Sequence, residues 1–313
     1  MHVFIINPVA GKGKGKKVVD EFLNEHPRLR TDCKTFYTKH EGHATTLAEQ
    51  VASMHHKRLV QVIVVGGDGT MYEVLNGLKA FPNIPIAFVP VGSGNDFARG
   101  TNGSLNPKRQ LRQLFGGMKA RPFWFGTYRS NLTAKEKAKL FASTIGFGFD
   151  AEIVEWVDAS RTKKLLNKLR LSFLIYIIGI LSVLVTFKPK NFQMRIDGKA
   201  YQLSNVWLVT VSNHPYFGGG MKIAPQAKNH PRDFEITVVH NISKLKVLFM
   251  FMTIFIGKHT RFQEVETLRG SSIEINSEHE LSYQSDGVAG RCYRSFIEKE
   301  SQPRQVKRNS RKS

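Results

Sequence analysis

The chain has 313 residues, 41% hydrophobic and 23% charged, enough for two globular domains with a core in each. Lys and Arg number 46 against 25 Asp and Glu, and the net charge of +21 favours anionic partners (nucleic acid, membrane headgroups or phosphorylated substrates), the plainer alternative being a solvated surface that keeps the chain soluble. Two cysteines, Cys33 and Cys292, exclude a disulfide framework and a cysteine-type metal site, and "MHVFIINP" lacks the basic-then-apolar pattern of a secretory signal.

In chain order, residues 1–100 repeat one pattern three times: a short apolar strand, a Gly-rich turn, a helix. The first instance is "HVFIINPVAGKGKGKKVVDEFL". Its loop "GKGKGKK" (11–17) fails the Walker A spacing, because no Ser or Thr follows the lysine. It also fails the dinucleotide G-x-G-x-x-G, because residue 16 is lysine. What is left is a cationic loop suited to phosphate, or a surface turn. The second instance joins the β-branched run "VQVIVV" (60–65) to "GGDGT" (66–70) and then to Met71, Val74, Leu75 and Leu78 at helical spacing. The third is "IPIAFVPVGSGNDFARG" (84–100). Strands alternating with helices predict a parallel α/β sheet that binds ligands at the carboxyl ends of its strands.

Composition changes after about residue 125, and a hinge is expected near Gly126. Period-two segments at 192–197, 205–211, 234–239, 272–275 and 281–283 predict antiparallel strands of a β-rich second domain. Two apolar stretches interrupt it. Residues 171–187 carry no charge, but a helix of that length spans about 26 Å against a hydrocarbon core of roughly 30 Å. Basic residues flank it on both sides (Lys163, Lys164, Lys168, Arg170; Lys188, Lys190) and set no orientation. A helix packed on the sheet or dipping into one leaflet is the preferred reading over a span. The second stretch, 247–256, is too short to cross. The final "SQPRQVKRNSRKS" reads as a disordered basic tail.

Asp68 carries the most chemistry. A carboxylate among glycines at a helix start repels phosphate unless a divalent cation stands between them, so the expected ligand is a magnesium-nucleotide. The plainer alternative is an N-cap with turn glycines. Ser93, Asn95 and Asp96 repeat the arrangement in the third loop. His40, His43 and His259 read as helix-start or surface histidines rather than bases.

"NPVAGKGKG" (7–15), "GGDGT" (66–70) and "PVGSGNDFAR" (90–99) together resemble the diacylglycerol kinase catalytic-domain family, in its soluble bacterial lipid kinase type. "FYTKHEGHA", "FASTIGFGFDAEIV", "VSNHPYFGGGMKIAP", "GKH" and "SDG" extend the resemblance over nearly the whole chain in the right order. It implies an α/β fold with a Rossmann-like N-terminal nucleotide domain (1–126) and a β-sandwich lipid-substrate domain (127–290), with 291–313 packing back on the first. It implies ATP-dependent transfer of a γ-phosphate to a lipid hydroxyl, diacylglycerol or a related lipid, with ATP and Mg2+ as cofactors. Asn7, Pro8, Val9, Ala10, Gly11, Gly66, Gly67, Asp68, Gly69, Thr70, Met71 and Tyr72 would hold the ATP phosphates. Thr38, Ser93 and Asn95 would contact the nucleotide. Asp68 and Asp96 would organise the catalytic magnesium through water, and Asp286 would be the base.

The implied partners are a lipid substrate and an anionic membrane surface, with the enzyme cytoplasmic and peripheral at the inner face. No nucleic-acid motif accompanies the charge, and a homodimer is compatible with the sequence. The chain departs from the family pattern at three places. Val288 follows Asp286-Gly287 where relatives commonly have Glu. Pro231 replaces an aspartate of a structural magnesium site, leaving Asp233 as a substitute ligand. Trp124 stands at an acidic position. These departures keep open a catalytically impaired nucleotide- or lipid-binding regulator. A kinase of a soluble substrate related to NAD kinase is the other alternative, against which "NDFAR" and "GGGMKIAP" argue.

Overall fold

The computed structural model describes residues 1–131, 137–159 and 172–309, with backbone alone for 172–177. The chain divides into two units. The first comprises Met1–Phe125, Gly218–Gly220 and the chain from Glu300 onward; the second comprises Gly126–Phe217 and Met221–Lys299.

The first unit is built on strands β1 (His2–Ile6), β2 (Cys33–Tyr37), β3 (Gln61–Gly66), β4 (Ile86–Pro90) and β5 (Ala120–Phe123). Between them run helices α1 (Lys14–Glu25), α2 (Pro27–Asp32), α3 (His43–His55), α4 (Asp68–Gly77), α5 (Asp96–Gly100) and α6 (Pro107–Phe115). β1, β3 and β4 are near-continuous apolar runs, as strands covered on both faces must be. On one face Val18, Val19, Phe22 and Leu23 of α1, with Leu111 and Leu114 of α6, pack on Phe4, Ile6, Ile63 and Val65. α3 and α4 approach so closely that a Cβ on Gly77 would lie 2.3 Å from the Thr45 carbonyl oxygen.

The second unit is a nine-stranded antiparallel sheet: β6 (Gly126–Ser130), β7 (Lys139–Phe141), β8 (Thr144–Gly148), β9 (Lys190–Ile196), β10 (Lys199–Ser212), β13 (Phe234–His240), β14 (Val265–Gly270), β15 (Ser272–Ser285) and β16 (Val288–Lys299), with β11 (Tyr216–Phe217) and β12 (Met221–Lys222) as a separate pair. Eight strands run in the order β14-β13-β10-β8-β15-β16-β6-β7, and β9 pairs with β10 and β15. The segments expected as two strands at 272–275 and 281–283 are one strand, β15, whose pairing slips between Asn276 and Leu281. Three helices accompany the sheet: α7 (Phe149–Ala159), α8 (Ser172–Thr186) and α9 (Lys244–Ile254). Val183 and Leu184 of α8 and Val247, Met250 and Ile254 of α9 share a core with Phe149, Phe187 and Trp207. No helix among the described residues is long and apolar enough to cross a membrane. The flanking Lys163, Lys164, Lys168 and Arg170, and Leu171, lie outside the described residues.

The basic C-terminal segment is not a disordered tail over its described length. Arg304–Lys307 forms β17, which completes the first sheet in the order β2-β1-β3-β4-β17-β5, parallel to β4 and antiparallel to β5. One buried Val306 and one neutralised Arg304 suffice, because the ladder satisfies the backbone and Glu300 pairs with the guanidinium at 2.8 Å. Residues 310–313 lie outside the described residues.

Candidate active site

In the first unit the strands β1, β3 and β4 end in turns that touch one another. Asn7 organises the first. Its Oδ1 accepts the N–H groups of Val9 (3.1 Å) and Ala10 (3.3 Å), and its Nδ2 donates to Thr70 Oγ1 (3.2 Å). Gly11 is left-handed (φ +57°), and a Cβ there would sit 2.3 Å from the Val91 carbonyl oxygen, so glycine alone lets this loop rest on the turn after β4. The turns after β3 and β4 meet at Gly67 and Gly92, where a Cβ on Gly92 would lie 2.7 Å from Gly67 Cα. Gly69 differs: a Cβ there would meet nothing within 4 Å. The first turn of α4, with N–H groups that no preceding helical carbonyl can satisfy, is therefore open at Gly69.

Asp68 opens α4 and caps α5 as well. Its Oδ2 accepts the Asp96 N–H and its Oδ1 the Phe97 N–H, both at 3.1 Å. Asp96 in turn accepts the N–H groups of Gly219 on Oδ2 (2.8 Å) and Gly220 on Oδ1 (2.7 Å). Burial raises both carboxyls above the usual carboxylate range, the nearby Asp68 charge raises Asp96 further, and Arg99 opposes that second shift.

The other expected nucleotide residues divide into two groups. Thr38 follows β2, its N–H donating to Ile6 O (2.9 Å), Ser93 is exposed on the β4 turn, and Asn95 is left-handed with Nδ2 donating to Gly92 O (2.8 Å). Pro8 is half-buried and Val9 exposed in the first turn. These gather at the carboxyl ends of the parallel strands. Met71 and Tyr72 instead turn their side chains into the core and leave only backbone for a ligand.

In the second unit Asp286 occupies the β15–β16 turn in a left-handed conformation (φ +49°). Its Oδ1 accepts the N–H groups of Ser143 (2.8 Å) and Thr144 (3.1 Å), and its Oδ2 accepts that of Ala142 (2.6 Å). Gln284 braces the same turn: its Oε1 accepts the Gly287 N–H (2.9 Å) while its Nε2 donates to buried Asp150 (3.1 Å). Asn213 donates to Ala142 O (3.1 Å), and His214 Nε2 is 3.0 Å from Ser143 Oγ. The Lys299 ammonium bonds to Asn213 Oδ1 and lies 4.0 Å from the Phe234 ring centroid. Burial pushes the Asp150 carboxyl up to about 7 and the Lys299 ammonium down to about 7. Burial, helped by the Lys299 charge, takes His214 down to about 3.

Residues 1–122 match the diacylglycerol kinase catalytic domain, and residues 143–296 match the YegS C-terminal NAD kinase beta sandwich-like domain. A Bacillus subtilis protein named "Putative lipid kinase YtlR" is 34% identical over 285 residues, covering 91% of this chain and 92% of its own. The chain belongs to the diacylglycerol kinase catalytic-domain family. A diacylglycerol kinase of Mycobacterium tuberculosis is 27% identical, over 87% of this chain and 83% of its own. Among solved structures, a "putative diacylglycerol kinase" from Bacillus anthracis str. Sterne has a TM-score of 0.72 at 25% identity, over 98% of this chain and 95% of that one. Yeast NADH kinase shares the fold, with a TM-score of 0.57 at 10% identity, over 99% of this chain and 84% of that one.

For a member of the diacylglycerol kinase family, the donor set decides how a cation fits. Among the described residues no three His, Cys, Asp or Glu side chains form a ready cage. The Asp68–Asp96 pair fits a cation that keeps its water: each Asp96 oxygen spends one acceptor site on a backbone N–H and retains another, while Asp68 is held in place beside it by several backbone N–H groups. Two adjacent carboxyls that burial drives toward neutrality also have the electrostatics a divalent ion would reverse. Asp233 is different. It pairs with His230 (3.0 Å) and faces Arg269 (3.9 Å), surroundings that do not fit a structural cation.

Sequence reasoning gave no role to Gly219, Gly220, Asp150, Asn213, His214, Gln284 or Lys299. A buried-type Asp inside the apolar run "FGFDAEIV" was a signal for Asp150. Nothing local marked Lys299.

Proposed function

We propose that this protein is an ATP-dependent lipid kinase that transfers the γ-phosphate of ATP to the hydroxyl of diacylglycerol or a related lipid. The single observation that carries the reading is the open first turn of α4 at Gly69 beside the Asp68–Asp96 pair, in a chain of the diacylglycerol kinase family. Backbone N–H groups of the loops at Asn7–Gly11 and Gly66–Thr70 bind the phosphates, with Lys12 and Lys14 adding positive charge. Thr38, Ser93 and Asn95 contact the nucleotide. Asp68 and Asp96 would hold Mg2+ through water, and the ion would supply neutralisation of the charge that develops on the phosphates. Asp286 accepts the proton of the lipid hydroxyl as its oxygen bonds to the γ-phosphorus and ADP leaves. The three N–H bonds on its carboxylate fix its orientation.

On this reading residues 1–126 serve the nucleotide, 127–290 serve the lipid, and the enzyme works at the inner face of the membrane. Val288, where relatives commonly carry glutamate, favours one second reading: a catalytically impaired nucleotide- or lipid-binding regulator. An assay with radiolabelled ATP and mixed lipid vesicles separates the outcomes. Label in an organic-extractable product supports the lipid kinase. Label in a soluble acceptor overturns the choice of substrate, and nucleotide binding without transfer supports the regulator.

A further inference from the structure

Among the described residues fourteen large hydrophobic side chains are exposed, and nine of them lie on or directly after two helices, α8 and α9. Ile178, Leu181 and Val185 follow one another at helical spacing along α8, and Leu245, Phe249 and Met252 do the same along α9. Phe249 is 58% exposed, Met252 75% and Val185 73%, values that core residues do not show. The opposite faces are already used, since Val183, Leu184, Val247, Met250 and Ile254 sit in the core of the second unit. Each helix is therefore apolar on two sides, with one side covered. The helices adjoin: Lys244 Nζ at the start of α9 donates to Val185 O near the end of α8.

The charge around this face is mainly positive, although Glu264 pairs with Lys246 (2.6 Å). Residues 172–190 and 244–262 contain no Asp or Glu and six cations: Lys188, Lys190, Lys244, Lys246, Lys258 and Arg261. An apolar face rimmed by cations matches a bilayer surface, where side chains enter the acyl boundary and lysines meet anionic headgroups. A second copy of the chain would bring one predominantly cationic rim against another, which disfavours self-association. We propose that the paired faces of α8 and α9 dock this protein on a membrane surface rich in anionic lipid, Phe249 and Met252 inserting and the lysines flanking them. The proposal rests on the lipid kinase reading for its purpose, though not for its test.

The test is flotation of the full chain with vesicles of phosphatidylcholine alone and of phosphatidylcholine mixed with phosphatidylglycerol. The wild type should float with the mixed vesicles, less so as salt rises. The double variant Phe249→Glu/Met252→Glu should lose at least about tenfold in binding, while Met54→Glu, an exposed apolar site elsewhere, should not. Equal melting temperatures of the three proteins secure the comparison. Binding by the double variant equal to that of the wild type overturns the proposal, as does a wild type that fails to float. A wild-type dimer that the double variant dissociates overturns it too, making this face a contact between copies. Transfer to detergent-dispersed lipid is scored separately. If it is absent while the double variant still loses vesicle binding, the docking face stands and the kinase reading falls.

Discussion

Asp68 Oδ2 accepts the backbone N–H of Asp96 at 3.1 Å, so one acid fixes the start of the helix on which the other sits. The bond makes the two carboxylates a unit, with Asp68 both a capping residue and the candidate partner of a hydrated ion.

Replacement of Asp68 separates these roles. Asp68→Ala strips two N–H groups of α5 of their acceptor and should cost about 1–2 kcal/mol in thermal or urea melts, leaving the protein folded. Phosphate transfer should fall by about a hundredfold or more. Normal turnover in the variant would remove Asp68 from the proposed mechanism.

The glycines of the α4 turn should behave oppositely. A Cβ on Gly66 would fall 2.5 Å from Thr70 Oγ1, and Thr70 is itself tied to Asn7, so Gly66→Ala should lower stability by about 1–3 kcal/mol. Gly69→Ala meets no atom within 4 Å and should melt like the wild type or slightly above it. Its methyl group would project into the space assigned to phosphate, raising the KM for ATP about tenfold or more by steady-state kinetics. An unchanged KM would place the phosphates elsewhere.

Asp150 gives a pH signature. Its folded carboxyl titrates at about 7, whereas the unfolded group titrates at about 3.9, so between those values the native state holds the extra proton. Native stability should therefore decline as pH rises through that window. Asp150→Asn, which does not titrate, should gain on the wild type from pH 4 to pH 7 and hold a constant lead above. Urea melts across the range read this directly, and parallel curves for the two proteins would contradict it.

Arg304 locks the last strand into the first unit. Its guanidinium is buried, bonded to Glu300 and to the carbonyls of Leu78 (2.8 Å) and Lys79 (3.0 Å). Arg304→Ala leaves Glu300 without this partner and should cost about 3–5 kcal/mol. Removal of residues 301–313 should expose the facing edges of β4 and β5 and promote aggregation, measurable by light scattering. A truncated chain as stable and monodisperse as the full one would make β17 dispensable.

The sequence by itself determined the local elements. β-branched runs such as 60–65, glycines at 66, 67 and 69, and alternation at 234–239 are signals whose physical cause lies within a few residues, and the structure has strands and turns there. The same holds for the tip of β3, since a turn needing close backbone approach advertises its glycines. Tertiary structure decided what those local pieces meet. Asp96 takes its N–H donors from Gly219 and Gly220, 123 and 124 residues away, and Asp286 takes its own from 142 to 144 residues away. The basic C-terminal segment becomes a central strand because its partner edges, β4 and β5, lie far upstream, where composition cannot register them. The apolar runs of α8 and α9 look uniform in sequence, yet packing covers one face of each and leaves the other open. Propensity is a property of neighbours along the chain, whereas hydrogen-bond partners and burial are properties of neighbours in space.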